Sequence, residues 1–550
     1  MVSVPGWLPV HQLLLAVAAA GSAAVALRLS GGAVGSRLRR RFVLGVPWGT
    51  FLSGAFVLAV YLFVQGGWSH PFSPTTIPYR AWSYFYPLGM LASGFAHAGM
   101  GHLVGNLVGT LAFGALAEYA WSHYPTERGV QTFTSPLTDP FVRIGAFVAG
   151  TLAVGVVTGL FVLGPAIGFS GVVFAFAGFA LVRYPLATVV ALVGARLLSL
   201  VYNALRYPTL TRGGETAFVT PWWADIAIQG HALGLFVGAT LAAVLAERRG
   251  VRPSALALWL GTLLFSVSQG LWAVYVPLDG GRYRLYRAVG TALVFVLAAL
   301  FASAATTSRR PLVERIDLSY REAALGLVAA TALALALVAV PFNLFVVDDP
   351  GTGVTENNSV EVRDYTVFYA HDVPNQYVSS VDVGPLGDAS RVNASGVIVV
   401  SESRQIWWEV VSTNRLAHDG RRRVGVGGLG WREAVVANYT GWKPVGNRSA
   451  YAVSLRRADA APADRRLAYA SPPRRAEPTV EGRNVSVVPG ESFALRVTRD
   501  GRRAGTAPLP GENRTTAAGG ITFVRDGAAV YATTENGTRV RVASRDRPGE

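Results

Sequence analysis

The sequence contains no cysteine, almost no lysine and few charged residues for its length. The absence of cysteine excludes disulfides, thiolate metal sites and a cysteine nucleophile. Only 15% of the 550 residues are charged while 51% are hydrophobic, and the mean hydropathy is +0.36. These values indicate a membrane protein with more than one domain. Arginine replaces lysine almost everywhere (Lys443 is an exception), which indicates genomic bias more than mechanism.

The net charge of +16 has two interpretations. A basic chain can bind nucleic acid, but many of these arginines lie between apolar runs, where basic residues set the orientation of a membrane protein. We therefore expect the lipid bilayer as a partner and no nucleic acid. The sequence gives no indication of a cofactor, and none is expected.

Apolar runs predict ten membrane spans, with a retained first span favoured over a cleaved signal peptide because its basic cluster follows the run. The runs lie at about 8–29, 42–64, 101–118, 141–163, 168–184, 186–205, 225–245, 254–277, 288–305 and 323–347. Basic clusters at 37–41, 248–252 and 309–321 then fall on one side, which predicts that both chain termini lie outside. Arginines in the loops after the sixth and eighth spans do not fit this rule, so the span count stays open.

The last 200 residues differ from the rest, because their apolar runs are short and partly alternating. Turn signals such as Asp419-Gly420, Asp500-Gly501 and Asn536-Gly537 separate these runs. We predict a β-rich, sandwich-like extracytoplasmic domain over 350–550, in two lobes joined by a linker at about 459–478. Asn-X-Ser/Thr glycosylation sequons support the outer location, and they begin at Asn357, Asn393, Asn438, Asn447, Asn484, Asn513 and Asn536.

One serine has an unusual setting for chemistry at a membrane helix. Ser170 lies between Gly168 and Gly171 at the start of a short apolar run, where free helical N–H groups and a positive potential favour a developing anion. His231 lies in another span and is the candidate base. Phe174, one turn after Ser170, is placed to stack on its imidazole.

The polar residues of the third span supply the rest of a candidate acyl-transfer site. His102 and Asn106 are four residues apart on one helix face, and both can donate to an oxyanion. Gly234 and Gly238 continue a glycine stripe from Gly230 that permits close approach of the serine helix.

Each of these residues also has a simpler interpretation. Ser170 alone could be a small helix-contact residue, and His231, His102 and Asn106 could be polar groups that join helices. His97 falls off the His102 face and is interpreted as holding the preceding loop. A metal site on His97 and His102 is disfavoured, because no acidic ligand lies between them and no His-Glu-x-x-His motif occurs.

The combined pattern resembles the rhomboid family of intramembrane serine proteases. The matching residues are LASGFAHAGMGHLVGN at 91–106, Phe113-Gly114 with Glu118, GFSG at 168–171, and Gly230-His231 with Gly234 and Gly238. The resemblance covers roughly 42–247. It implies a six-helix core, a Ser170–His231 dyad, oxyanion donation by His102 and Asn106, and cleavage of single-pass membrane proteins. The chain has Phe174 where the family often has tyrosine, and no arginine follows Trp82 in the outer loop at 65–100.

The expected organisation is therefore a polytopic α-helical protein of the cell membrane with a soluble β-rich domain. An additional N-terminal span and basic inner loop occupy 1–41, the rhomboid-like core 42–247, three further spans 248–349, and the β-rich domain 350–550. The alternative function is a silent relative, a receptor or a transporter that binds membrane helices. Silent relatives lose the serine or histidine, and two similar halves with broken helices, as in transporters, are not evident.

Overall fold

The computed structural model describes residues 10–29, 33–125, 132–205, 226–278, 282–306, 311–313, 318–347, 354–355, 358–379, 393–534 and 536–546. Contacts divide this part of the chain into a helical unit that ends at Leu344 and a β-rich unit that begins at Phe345 and also includes Pro277, Leu278 and Arg282. The division lies close to the boundary expected at 350.

The helical unit consists of fourteen helices in the described residues. They are α1 Val10–Leu29, α2 Ala33–Arg41, α3 Trp48–Ala59, α4 Pro87–Ser93, α5 Met100–Gly109, α6 Ala115–Trp121, α7 Pro140–Leu160, α8 Ser170–Arg183, α9 Pro185–Leu205, α10 Ile228–Arg248, α11 Ala255–Ser268, α12 Arg287–Thr306, α13 Tyr320–Leu337 and α14 Val340–Asn343. A π-helical turn at Val60–Val64 extends α3, and another at Thr110–Gly114 joins α5 to α6. Four short strands follow α11 and α12, in two two-stranded sheets: β1 Tyr275–Leu278, β2 Arg282–Leu285, β3 Pro311–Val313 and β4 Leu318–Ser319.

Six helices of the described chain are long and apolar enough to cross a membrane, so this is a multi-pass membrane protein. They are Met100–Trp121, Pro140–Leu160, Pro185–Ala204, Ile228–Arg248, Arg287–Thr306 and Tyr320–Asn343. The other four predicted spans correspond to shorter apolar helices at Gln12–Ala26, Trp48–Val64, Ser170–Arg183 and Ala255–Ser268.

Two predicted span boundaries are wrong. The second span does not start at 42, because Val43–Gly45 form a separate 3₁₀ turn in which Leu44 has a φ of 58°. The eighth does not reach 277, because α11 ends at Ser268 and a strand begins at Tyr275.

Helix α8 forms the centre of the helical unit. All but three of its fourteen residues are buried, and its core neighbours include Leu103, Phe113 and Leu235. A helix that is apolar on every face requires neighbours on every side. Ser170, the first residue of α8, is not among these buried residues and carries a reactive hydroxyl.

In the residues that the structure describes, the β-rich unit contains three antiparallel sheets. The strands are β5 Ser359–Val362, β6 Tyr365–Pro374, β7 Asn393–Ser401, β8 Ile406–Ser412, β9 Arg421–Gly428, β10 Trp431–Pro444, β11 Ala450–Arg457, β12 Arg466–Ala470, β13 Arg474–Val480, β14 Arg483–Val488, β15 Ala494–Arg499, β16 Arg502–Pro508, β17 Thr515–Ala518, β18 Ile521–Asp526, β19 Ala529–Thr533 and β20 Arg539–Asp546. Strands β5 to β8 form one sheet and β13 to β16 another, both in sequence order. The third has the order β12-β11-β10-β20-β19-β18-β17, with β9 also paired to β10. Two short helices, α15 Gln376–Ser379 and α16 Thr413–Asp419, complete this unit.

The predicted sandwich-like packing is seen between the sheet of β13 to β16 and the sheet that contains β17 to β20. Alternating residues of both sheets form one core, in which Val485, Leu495 and Phe523 are almost completely buried. The predicted linker at 459–478 is wrong, because β12 pairs with β11 and β13 pairs with β14 inside this stretch. The alanine- and proline-rich composition of this stretch is compatible with edge strands and turns, and β12 and β13 each lie at the edge of a sheet.

Candidate functional site

Ser170 is the first residue of α8, and Phe169 precedes it as the N-cap. The first backbone hydrogen bonds of this helix run from the amides of Val172 and Val173 to the Phe169 carbonyl, at 3.0 and 3.1 Å. The amides of Ser170 and Gly171 therefore come before the helical ladder, where N–H groups are available to an anion. This turn is tied down by the Gly168 amide, which donates to the Ser93 carbonyl at 2.8 Å.

Glycines bring α8 and α10 into backbone contact. A Cβ atom on Gly234 would lie 2.0 Å from the Gly171 carbonyl oxygen, and one on Gly238 would lie 1.9 Å from that of Ala175. Gly178 makes the reciprocal contact, with its Cβ position 2.2 Å from the Leu235 carbonyl oxygen. Small residues at a helix interface permit this approach. Gly230, the first residue of the stripe, instead faces Val162 in the loop before α8.

The imidazole of His231 is held by an aromatic ring from the serine helix. The rings of Phe174 and His231 are stacked, with centroids 4.2 Å apart and planes inclined by 15°. The Nδ1 atom of His231 is buried and has no hydrogen-bond partner among the described residues. No carboxylate therefore orients this histidine there, and the arrangement is a serine–histidine pair without a third acidic member.

Ser170 and His231 line the same small cavity. Its wall also includes Ser93, Thr158, Gly168 and Gly171, and its volume is about 30 Å³. A cavity of this size is large enough to hold a water molecule, and Ser93, Thr158, Ser170 and His231 offer polar groups in an otherwise apolar wall. Thr158 was missed from the sequence, although it lines the cavity and lies 2.8 Å from the Cβ position of Gly171.

His102 and Asn106 lie against the glycine that precedes the serine turn. Gly168 has a φ of 138°, and a Cβ atom there would lie 2.8 Å from Nε2 of His102 and 3.6 Å from Nδ2 of Asn106. Glycine is needed both for that backbone conformation and for that approach. Both polar tips are thus directed at the loop that carries Ser170.

The hydrogen bonds of these two side chains leave donors available. Nδ1 of His102 accepts a long hydrogen bond of 3.5 Å from the Ala98 amide, which assigns the proton of the neutral ring to Nε2. The Nδ2 amide of Asn106 is buried and has no partner among the described residues. An unpaired buried donor typically costs about 1–3 kcal/mol, so it calls for an explanation.

His97 is part of the support of this site. Gln65 binds its backbone twice: the amide of His97 donates to Oε1 and the carbonyl accepts from Nε2, both at 2.8 Å. The buried His97 ring contacts the rings of Tyr61 and His102 edge-on. Gln65 was not identified from the sequence, although a glutamine at the end of an apolar span is a usable signal.

The outer loop is fixed to the loop before Ser170. The Ala81 amide donates to the Ala166 carbonyl at 2.9 Å, and the Arg80 guanidinium donates to the Pro165 carbonyl at 2.9 Å. Trp82 is completely buried and its indole N–H donates to the Ile77 carbonyl at 2.7 Å. Arg80 therefore anchors the outer loop from a position two residues before Trp82, although no arginine follows Trp82.

Glu118 and His123 form a separate polar network away from Ser170. The carboxylate of Glu118 accepts from the amides of Gly49 and Thr50 at the start of α3, and it pairs with Nε2 of His123 at 2.6 Å. Arg196 falls near the middle of the sixth predicted span, where an arginine needs a partner, and the sequence offers Asp225 and Glu118. Glu118 is thus excluded, and Asp225 lies outside the described residues. Arg196 instead donates to the Ser268 carbonyl at 3.4 Å.

No group of three or more histidine, aspartate or glutamate side chains that could hold a metal ion occurs in the described part of the chain. The site thus consists of a hydroxyl, an imidazole, two polar donors and helical N–H groups around a small cavity. Comparisons with protein-family models, with curated proteins and with solved structures found no match. The functional assignment consequently depends on the residues and geometry of the site.

Proposed function

We propose that this protein is an intramembrane serine endopeptidase of the rhomboid type, which cleaves the membrane segments of single-pass proteins. The observation that carries the proposal is that Ser170 and His231 line one cavity, with the imidazole stacked on Phe174 of the serine helix. A serine, a fixed histidine and adjacent oxyanion donors are the requirements of acyl transfer. The resemblance of the motifs supports the same assignment.

The proposed reaction has two stages. Ser170 Oγ attacks the carbonyl carbon of the scissile peptide while His231 takes the hydroxyl proton. Collapse of the tetrahedral intermediate breaks the C–N bond, and His231 returns the proton to the leaving amine. A water molecule, activated by His231, then attacks the acyl-enzyme ester, releases the carboxylic acid product and restores the Ser170 hydroxyl.

The negative charge of each tetrahedral intermediate requires donors on one side of Ser170. His102 Nε2–H, the Asn106 amide and the backbone amides of Ser170 and Gly171 are proposed for this role. The unpaired Asn106 amide supports it, because a donor reserved for the oxyanion has no partner before the substrate arrives. His97, Gly168, Gly171, Phe174, Gly234 and Gly238 are proposed to hold these groups in place.

The length of α8 supports hydrolysis inside the bilayer. Its fourteen residues span about 21 Å, which is less than the roughly 30 Å of hydrocarbon in a bilayer. If Arg183 lies at the inner surface, Ser170 lies below the outer surface. The cavity beside Ser170 has room at that depth for the water that hydrolysis needs.

The alternative is a silent relative that binds membrane helices without cleaving them. Such a protein gains nothing from a helical turn of free amides or from the unpaired buried amide of Asn106. Those features favour the protease. A binding protein would nevertheless capture a helical substrate, so binding alone does not distinguish the two functions.

The test is cleavage of a single-pass model substrate by full-length protein in proteoliposomes. Wild-type protein should produce two fragments whose new termini map inside the membrane segment, whereas Ser170→Ala and His231→Ala should produce none. Ser266→Ala is the matched control, because this other membrane serine is buried with a hydroxyl that has no partner among the described residues. Cleavage that persists in folded Ser170→Ala protein would exclude the proposed nucleophile.

We further propose that the protein lies in the cell membrane with its β-rich unit outside. The arginine clusters near Arg39, Arg249 and Arg310 support this orientation, since basic loops remain inside. Protease added to intact cells should then degrade residues beyond 350 and leave these loops intact. Protection of the β-rich unit would reverse the orientation or change the span count.

A further inference from the structure

An apolar groove lies on the helical unit along α8. Its walls come from α6, α7, α8 and α10, and include Phe147, Val154, Phe176, Phe179 and Leu241. Its volume is about 380 Å³, within the range of small-molecule pockets. Gly150 contributes to its openness, because no atom lies within 4 Å of its Cβ position.

The polar end of this groove is strongly basic. Arg248 and Trp121 line it there. Arg249 donates to the Ala120 and Trp121 carbonyls at 2.7 Å each, and Arg143 donates to the Trp121 carbonyl at 2.9 Å. The Arg143 guanidinium also stacks over the Trp121 ring, 4.5 Å from its centroid.

These arginines carry charge that the described protein does not neutralise. No acidic side chain forms a salt bridge with Arg143, Arg248 or Arg249 within the described residues. The neighbouring Glu247 faces Arg321 instead, at 4.0 Å. Positive charge at the end of an apolar groove is suited to an anionic partner with an apolar extension.

We propose that this groove binds an anionic phospholipid, with one acyl chain along α7, α8 and α10 and the phosphate at Arg248. Two of the walls, α7 and α10, are among the helices apolar and long enough to cross a membrane, so lipid surrounds the groove. Basic pockets between membrane helices are suited to anionic lipid headgroups. Neither Ser170 nor His231 lines the groove, and its basic end at Arg248 lies at the opposite end of α10 from His231. The proposal therefore stands independently of the proposed peptidase activity.

The test uses native mass spectrometry of delipidated full-length protein in detergent. Dioleoyl phosphatidylglycerol should bind at least about tenfold more tightly than dioleoyl phosphatidylcholine, because both phosphates can pair with Arg248 but only choline brings a second positive charge against these arginines. Arg248→Gln should remove most of this preference, while Arg252→Gln, a change at an exposed arginine outside the groove, should leave it intact. Glycerol 1-phosphate, which lacks acyl chains, should not compete.

A second pair of variants tests the apolar part independently of charge. Gly150→Leu fills the groove and should weaken binding of both phospholipids. Gly145→Leu is the control, because its Cβ position is equally open on the same helix but lies outside the groove. Equal affinity for the two lipids in the wild-type protein, or an unchanged preference in Arg248→Gln, would overturn the proposal. So would a protein dimer that Gly150→Leu dissociates, because a second copy would then occupy the groove.

Discussion

Replacement of Gly234 by alanine tests whether close packing of α8 and α10 positions the candidate dyad. The new Cβ atom would lie 2.0 Å from the Gly171 carbonyl oxygen, where ordinary contact begins at 3.4 Å. Both neighbours are helical backbone, so the helices must separate by roughly 1.4 Å in this direction. His231 is three residues before Gly234, and Ser170 directly precedes Gly171, so the separation falls at the site itself.

The expected loss of activity follows from this displacement. A misplacement of about 1 Å can reduce catalysis about 10²-fold, while overpacking typically destabilises by about 1–3 kcal/mol. We therefore expect kcat of Gly234→Ala on a single-pass substrate to fall about 10²-fold, with a smaller change in KM. The protein should remain folded, because the cost is less than the stability of a typical domain.

The assay compares kcat and KM in proteoliposomes, with insertion and thermal unfolding measured on the same preparations. Gly194→Ala is the matched control, since no atom lies within 4 Å of its Cβ position in α9. It should retain activity within about twofold, as expected for a substitution without contacts. Wild-type kcat in inserted Gly234→Ala protein would refute the claim that this contact positions His231.

Three further outcomes are expected. Asn106→Ala and His102→Ala should each lower kcat about 10²-fold with little change in KM, as loss of an oxyanion donor does; a change in KM alone would assign them to loop positioning. Protein truncated after about residue 350 should still cleave a generic membrane substrate but should change its choice among native ones, because tethering raises local concentration; complete inactivity of inserted truncated protein would contradict this. Burial raises the pKa of Glu409 to about 7, so the β-rich unit should lose up to about 3 kcal/mol of stability as the pH rises from 4.5 to 7. Protease resistance of β7 and β8 at pH 5 and 8 checks this, and Glu409→Gln should lose the pH dependence that is due to this residue.

The candidate site could be anticipated from sequence where its geometry is local. The four-residue spacing of His102 and Asn106 puts them on one helix face, and both contact the Cβ position of Gly168. The spacing of Gly234 and Gly238 likewise anticipates the approach of α10 to α8. Helical periodicity determines these relations without knowledge of distant residues.

Contacts between distant residues could not be derived in this way. The Gln65 side chain donates to the His97 carbonyl, 32 residues away in the sequence. The Glu118 carboxylate accepts from the Gly49 amide at the start of α3, 69 residues away. Both partners follow from the way helices pack, which periodicity does not specify. The predicted linker failed for a related reason, because an alanine- and proline-rich composition is compatible with edge strands as well as with a linker.

Helix length was also hard to derive from hydropathy. The apolar run at 254–277 continues beyond the end of α11 at Ser268, because hydropathy does not separate a helix from the turn and strand that follow it. Helix α3 starts at Trp48, where the amides of Gly49 and Thr50 donate to the Glu118 carboxylate. This start therefore depends on a tertiary contact, which hydropathy does not show.

The most direct test of the central claim is covalent labelling of Ser170 by a fluorophosphonate in the full-length protein. An activated serine attacks phosphorus and displaces fluoride, which leaves a stable phosphonyl ester that peptide mass spectrometry can locate. One adduct is expected, on Ser170, and it should disappear in His231→Ala and persist in Ser266→Ala. Absence of an adduct on Ser170 in protein that cleaves substrate, or equal labelling of Ser170 in His231→Ala, would contradict the central claim.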